Sequence, residues 1–102
     1  MERIVAIVLE WEKELSERFP NVLKKGRPIY STEDTVFTTS VETYLRGELH
    51  TYSLRTLELY LANVVQQKSE NINGSEITLA HTLKQYGINS LEEANEKLKP
   101  PA

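Results

Sequence analysis

The amino-acid sequence predicts an all-α fold, a single small bundle of four to five helices with a short helical hairpin at its C-terminal end. Three observations support this prediction. Apolar residues recur at steps of three and four along most of the chain, which is the period of an amphipathic helix. Residues typical of helix starts and ends bound these stretches. The length of 102 residues suits one core, so residues 1–102 are expected to form one helical domain.

The first helix is predicted to run from Glu2 to Phe19, and Pro20 ends it. Its apolar stripe consists of Ile4, Val8, Trp11, Leu15 and Phe19. Three further apolar residues, Val5, Ile7 and Leu9, widen the stripe beyond one side. Such a wide stripe predicts a central helix that is covered by several others or by a second copy of the protein.

The segment from Pro20 to Tyr30 contains prolines, a glycine and a cluster of basic residues, and it is predicted to be a connecting loop. Lys24, Lys25 and Arg27 form a candidate anion site, because loops often carry function and these cations suit a phosphate group. A solvated loop without a ligand is the alternative interpretation.

The second helix is predicted to begin at Ser31. A Ser hydroxyl with an acidic residue three positions later, here Asp34, can satisfy the free amides of a helix start. The apolar stripe of this helix is Phe37, Val41, Tyr44, Leu45, Leu49 and Tyr52. The Val and Thr residues between Thr35 and Thr43 favour extended backbone, so an α+β fold with a short strand there is the alternative.

The apolar stripe changes sides near Thr51 when the second helix is continued at 3.6 residues per turn. This change predicts a break at Thr51 to Ser53, with Ser53 as a new cap, and a third helix from Leu54 to about Glu70. One long helix with two packing faces is the alternative. The first and third helices are expected to be the main packing elements.

The C-terminal part is predicted to form a hairpin of two short helices. Asn73-Gly74 is a turn signal before a fourth helix from about Ser75 to Tyr86, and Gly87 suits the left-handed closing position. Ser90 and Glu93 form a capping box for a fifth helix, Leu91 to Leu98, which the following prolines end.

Two glutamates lie among the apolar residues of their helices and are the centre of a candidate polar site. On a helical wheel Glu12 falls inside the apolar sector of the first helix, and Glu48 lies near the middle of the second stripe. Since a buried carboxylate is costly unless it is paired or protonated, such positions mark acids, bases or ligand contacts. Arg46 and Arg55 are the cations expected beside them. The alternative is that both carboxylates reach solvent or pair with an arginine or a tyrosine hydroxyl.

The composition disfavours several classes of function. The formal net charge of −3 gives no field that would gather a phosphate backbone, so no nucleic-acid partner is expected. The absence of cysteine excludes disulfides and thiolate metal sites and suits a cytoplasmic protein. The apolar run at residues 4–9 is much shorter than the roughly 20 residues of a membrane span, so no membrane partner is expected.

Metal and cofactor sites are also not expected. His50 and His81 are the only histidines, and no helix carries the Glu-x-x-His pair of the carboxylate di-metal bundles. The glycine-rich phosphate loops and the nucleophile elbow of hydrolases are missing as well. We therefore lean towards a protein that is not an enzyme.

Several short elements of the sequence resemble an uncharacterised bacterial family, a domain of unknown function found mainly in anaerobes. These elements are Ile4-Val5, Leu9-Glu10-Trp11-Glu12, Gly26-Arg27, Phe37, an Arg followed by a helix of the type Tyr52 to Leu61, and an Asn near 73. The resemblance implies that Glu10, Trp11, Arg27 and Arg46 are positions of interest. The chain departs from the family after Gly26-Arg27, where Pro28-Ile29-Tyr30 replaces a Ser-Cys-Gln stretch, so a function of that cysteine would be absent here.

The leading functional hypothesis is a non-catalytic helical module that self-associates, as in a homodimer, or binds a protein partner. It rests on the wide apolar surface of residues 4–9 and on the missing catalytic signatures. The alternative is a small-molecule or metal-binding protein, including an enzyme, with a carboxylate-lined pocket in the bundle core. The arrangement of Glu12 and Glu48 discriminates between the two hypotheses.

Overall fold

The structure is a computed structural model that describes residues 1–100. Its helices are α1 (Glu2–Arg18), α2 (Pro20–Leu23), α3 (Val41–His50), α4 (Leu54–Ser69), α5 (Gly74–Gln85) and α6 (Leu91–Lys97), and a 3-10 turn spans Ser31–Glu33. No strand occurs in residues 1–100. The all-α prediction is confirmed, and the alternative with a strand near Thr35 to Thr43 is wrong.

Helix α1 is the central element and packs against α2, α3, α4 and α5. Its buried residues are Ile4, Val5, Ile7, Val8, Trp11 and Leu15. The first half of α1 forms one buried cluster with Leu45 and Leu49 of α3 and Val64 of α4. Each fully buried side chain of this kind stabilises the fold by roughly 1.5–3 kcal/mol. The wide apolar stripe of the first helix is therefore covered by other helices of the same chain.

A second buried cluster lies at the C-terminal end of α1. It contains Leu15, Phe19, Val22, Leu91 and Ala94, so it joins α1, α2 and α6. Two hydrogen bonds link α2 to α6: the Asn21 amide donates to the Asn95 side-chain oxygen at 2.9 Å, and the Asn21 side chain donates to the Asn95 carbonyl at 3.0 Å. The last helix is thus attached to the end of the first helix.

The predicted start of the second helix at Ser31 is wrong, because α3 begins ten residues later at Val41. Ser40 is the actual cap, and its hydroxyl accepts a hydrogen bond of 3.1 Å from the Thr43 amide. The Asp34 carboxylate accepts from the Ser40 amide at 2.6 Å and from the Thr43 hydroxyl. The Asp34 side chain gives the Ser40 amide an alternative to helical bonding and closes the loop of residues 34–40 onto the first turn of α3.

Phe37, which was predicted on the apolar stripe of that helix, lies in the loop and is 96% exposed. The amide of Thr35 donates to the Thr38 carbonyl at 2.9 Å, and the amide of Thr38 donates back at 3.4 Å. A tight turn therefore presents Val36 and Phe37 to solvent.

The boundaries of the other predicted helices agree with the predictions to within one residue. The loop predicted for Pro20 to Tyr30 is wrong at its start, because α2 occupies Pro20–Leu23 with Pro20 in its first turn. Ser53 caps α4 by accepting from the Thr56 amide at 3.2 Å, so the predicted break between the second and third helices is confirmed. Gly87 follows α5 with a φ of 80°, in the left-handed region. Ser90 caps α6 by accepting from the Glu93 amide at 3.0 Å. Within residues 1–100, no helix has both the length and the apolar character needed to cross a membrane.

Candidate functional site

A cleft of about 890 Å³ lies beside the central helix. Helices α3, α4 and α5 all pack on α1. The cleft is the space between these three helices, and α1 forms its floor. A volume of this size falls within the range of roughly 300–1,000 Å³ that is typical of small-molecule sites. The cleft is therefore the main candidate site of the described chain.

The lining of the cleft is apolar on its floor and mixed at its rim. Val8, Trp11 and Leu15 of α1 are buried and form the floor. Large side chains line the rim while keeping more than half of their surface exposed, namely Tyr44, Leu59 and Ile77. A bound ligand would cover this rim and bury its apolar surface.

Glu12 is the only acidic residue of α1 that lines the cleft. It is half-buried, and burial raises the pKa of its carboxyl group, while a hydrogen bond with the Ser75 hydroxyl acts in the opposite direction. None of the basic side chains in residues 1–100 forms an ion pair with it. Glu12 is thus a carboxyl group at the apolar floor without a cationic partner in that part of the chain.

Glu48 lines the same cleft from α3, but its side chain is exposed. The Tyr52 hydroxyl donates a hydrogen bond to the Glu48 carboxylate, and this bond raises the pKa of Tyr52. Burial, with the nearby charge of Glu48, raises the pKa of Tyr60, which also lines the cleft. The structure therefore brings the two predicted glutamates to one cleft, on different helices and with different exposure.

Arg46 and Arg55, which the sequence placed beside these glutamates, lie outside the cleft lining. Arg46 pairs with Glu2 and with Glu42, the latter at 3.1 Å. Arg55 approaches Glu58 on its own helix at 3.9 Å, where both side chains are mostly exposed. Both arginines are engaged on other surfaces, so neither neutralises Glu12.

The three residues of the candidate anion site have different surroundings. Lys24 and Lys25 are exposed. Arg27 lines the cleft, donates a hydrogen bond of 3.1 Å to the Thr39 carbonyl, and places its guanidinium 4.7 Å from the centre of the Tyr44 ring. Arg27 therefore connects the loop after α2 to the start of α3.

The family-like positions of the first helix contact α4 and α5. Glu10 pairs with Lys68 of α4 at 3.3 Å. The buried Asn73 donates a side-chain hydrogen bond to the Trp11 carbonyl at 3.1 Å. A Cβ atom built on Gly74 would lie 2.8 Å from Trp11 Cζ3, so α5 begins in close contact with the indole ring.

Ser75, which lines the cleft, and Asn73, which attaches the start of α5 to α1, were not among the predicted site residues. Asn73-Gly74 was predicted as a turn, with an Asn near 73 also part of the family resemblance, and Ser75 was predicted only as a helix start. The capping pattern at the start of α5 was the one available signal. Local spacing does not show which helix lies opposite α5. In residues 1–100, no group of three or more His, Asp or Glu side chains is placed to hold a metal ion.

A family model described as a protein of unknown function, DUF4125, matches residues 1–96 of the chain. This match confirms the predicted resemblance to an uncharacterised family and covers both buried clusters and the cleft. Comparison with curated proteins and with solved structures finds no match.

Proposed function

The chain belongs to DUF4125, a family of proteins of unknown function, and we propose from the geometry of its cleft that it binds a small molecule. One observation carries the proposal: a cleft of about 890 Å³ has an apolar floor in which a half-buried carboxyl group is set. Ligand sites are typically concave, mostly apolar and supplied with a few polar groups that orient the ligand.

The rim of the cleft supports the same proposal. Tyr44, Leu59 and Ile77 come from three helices and leave apolar surface exposed around one opening. Exposed apolar side chains that cluster at a concave surface are typical of binding sites, whereas scattered ones need no explanation. A ligand with an apolar body would bury these side chains together with the floor.

We propose binding without turnover. Within residues 1–100, the cleft lining contains no histidine and no lysine, two side chains that often serve as general bases. Nucleophilic catalysis by Ser75 would require a base within hydrogen-bond reach and a third group that orients this base, and no basic side chain of residues 1–100 pairs with Glu12 in that role. A cytoplasmic location remains the prediction of the cysteine-free composition.

Trp11 provides a direct test, because it is the only tryptophan of the chain and lies in the cleft floor. Titration with the neutral dye Nile red should quench Trp11 fluorescence saturably at one site. Leu59→Lys should weaken this binding about tenfold, as expected when an apolar contact worth roughly 1.4 kcal/mol is lost.

Leu54→Lys is the matched control, since Leu54 is an exposed leucine of the same helix that does not line the cleft. It should leave the affinity for Nile red within twofold of the original. Absence of saturable quenching, or equal losses in the two variants, would contradict small-molecule binding in this cleft.

Self-association is a second candidate function, and a different observation favours it. The surface of residues 4–9 no longer supports it, because other helices of the chain cover most of these side chains. Val36 and Phe37, however, are 94% and 96% exposed at the tip of a hydrogen-bonded turn. Large apolar side chains in a fixed turn are suitable anchors for contact with a second copy of the chain.

Sedimentation velocity, measured from low micromolar concentration up to about 100 μM, tests self-association. A dimer that Phe37→Ser converts to a monomer would support it. If the sedimentation coefficient stays at the value of a monomer up to about 100 μM, a concentration at which even weak dimers would form, self-association is ruled out.

A further inference from the structure

We infer that the ligand of the cleft is an organic ammonium, a protonated amine carried on an apolar body, and that Glu12 and Ser75 hold its amino group. The inference rests on the proposed function and specifies the ligand class of the same site. It follows from where charges, hydroxyl groups and aromatic rings lie around the cleft.

The first supporting feature is the unpaired position of Glu12 among residues 1–100. Its carboxyl group lies at the apolar floor, next in sequence to the buried Trp11, and has no ion-pair partner among residues 1–100. A carboxylate in such surroundings loses hydration that no protein cation replaces. A ligand cation would supply the missing partner, whereas an anionic ligand would add repulsion.

Ser75 gives the site a second acceptor. Its hydroxyl lines the cleft beside the Glu12 carboxyl, from the first turn of α5. An ammonium group has three donors and no acceptor, so it can bond to carboxylate and hydroxyl oxygens at once. A neutral alcohol has one donor, so it could not bond to both the Glu12 carboxylate and the Ser75 hydroxyl oxygen at once.

The α3 and α4 side of the cleft adds negative potential. Glu48 lines it together with Tyr60, while the ring of Tyr44 is already in contact with the Arg27 guanidinium. Carboxylates attract a cation directly, and tyrosine rings attract it through their faces. These groups favour the approach of a cation from the rim towards Glu12.

Among residues 1–100, Arg27 is the one basic side chain that lines the cleft, and it is already engaged. Its guanidinium donates to the Thr39 carbonyl and lies against the Tyr44 ring. With the two carboxyl groups of Glu12 and Glu48 facing this one guanidinium, the lining favours a cationic ligand over an anionic one.

Three eight-carbon probes test the ligand class: n-octylamine, which is protonated at neutral pH, neutral 1-octanol and anionic octanoate. Binding is measured at pH 7.5 by calorimetry and by Trp11 fluorescence. Octylamine should bind about tenfold or more tightly than octanol, because a hydrogen bond to a charged group adds roughly that factor. Octanoate should bind most weakly.

The variant Glu12→Gln keeps the size of the side chain and removes its negative charge. It should remove the preference for octylamine and leave octanol binding within twofold, with unchanged circular dichroism. Glu14→Gln is the control on the same helix, because Glu14 pairs with Arg18 and does not line the cleft. It should keep the preference for octylamine.

The outcomes separate the two proposals. If octanol binds and octylamine binds no better, or if Glu12→Gln keeps the preference, the inferred ligand class is wrong while small-molecule binding stands. If neither octylamine nor octanol binds while Nile red does, the inferred ligand class is wrong and small-molecule binding stands; if none of these three probes binds, both proposals are wrong. Ser75→Ala gives an independent check, since it should reduce the affinity for octylamine by severalfold more than that for octanol.

Discussion

The side chain of Asn73 donates a hydrogen bond of 3.1 Å to the backbone carbonyl of Trp11, 62 residues earlier in the chain. The oxygen of the same side-chain amide accepts a hydrogen bond of 3.0 Å from the backbone N–H of Glu76, and this bond caps α5. One buried side chain therefore both starts α5 and attaches it to the central helix. Because α5 forms a wall of the cleft, this attachment sets the width of the candidate site.

Asn73→Ala should destabilise the protein by about 1–3 kcal/mol, because it removes a helix cap and leaves a buried carbonyl without one of its donors. Urea denaturation followed by circular dichroism measures the change. Asn89→Ala is the control, since Asn89 is an exposed asparagine of the next turn, and its effect should stay within about 0.5 kcal/mol. Equal effects of the two substitutions would contradict the double role of Asn73.

Gly74 and Gly47 should respond to alanine with opposite signs. A Cβ atom on Gly74 would lie 2.7 Å from Gln67 Oε1 and 2.8 Å from Trp11 Cζ3, and the buried indole has little room to move. Gly74→Ala should therefore destabilise the fold by about 1–3 kcal/mol. Gly47 lies inside α3 with nothing within 4 Å of its Cβ position, so Gly47→Ala should stabilise by up to about 1 kcal/mol.

Thermal unfolding of the two glycine variants beside the original chain measures both signs in one experiment. A stabilising Gly74→Ala would mean that α5 does not begin in contact with the Trp11 ring. A destabilising Gly47→Ala would mean that α3 is not a regular helix at that position.

The sequence was sufficient for most helix boundaries because the signals that set them are local. Ser53 and Ser90 cap the helices that directly follow them, and Gly87 lies directly after the end of α5. Each of the three occupies its predicted position. The start of α3 could not be predicted, because the Asp34 carboxylate bonds to residues six and nine positions later and overrides the local cap at Ser31. That residues 1–102 form a single domain stays a prediction.

The candidate site was only partly predictable for the same reason. The helical wheel identified Glu12 from the pattern of one helix. The partners of Glu12 depend on which helix lies opposite, and the structure places Ser75 there, whereas Arg46 and Arg55 lie on other surfaces. Contacts between residues more than 60 positions apart leave no periodic signal in the sequence.

Asp34 should contribute stability that is lost in acid. The Thr43 hydroxyl, and then the Ser40 amide, donate to its carboxylate and lower its pKa below the usual value. A group with a lowered pKa in the folded state stabilises the fold above its unfolded pKa, and this contribution disappears as the pH falls through the folded pKa. Asp34→Asn should therefore be less stable than the original at pH 7 and approach it at low pH.

Two measurements check the role of Asp34. Since it is the only aspartate of the chain, its carboxyl carbon gives a single aspartate signal in a carbon-detected NMR titration, and the midpoint should lie below that of a model peptide. Urea denaturation of Asp34→Asn between pH 3 and 7 should give a stability difference that decreases on acidification. A difference that is constant with pH would contradict the linkage.

Glu12→Gln should increase stability at neutral pH while it removes the preference for an amine. Burial raises the pKa of Glu12, so the folded state binds this proton more tightly than the unfolded chain. The stabilisation from this protonation is fully present below the unfolded pKa and is lost as the pH rises through the folded pKa, so at pH 7 the ionised group opposes folding.

The glutamine variant carries no such charge, and its unfolding midpoint in urea should exceed that of the original at pH 7. The difference should shrink at pH 4. Glu14→Gln, at an exposed position of the same helix, should show no comparable increase. Saturating octylamine should raise the midpoint of the original and not of Glu12→Gln, because a ligand that binds only the folded state stabilises it. If Glu12→Gln instead lowers the midpoint at pH 7, the carboxylate stabilises the fold, and its place in the cleft is structural.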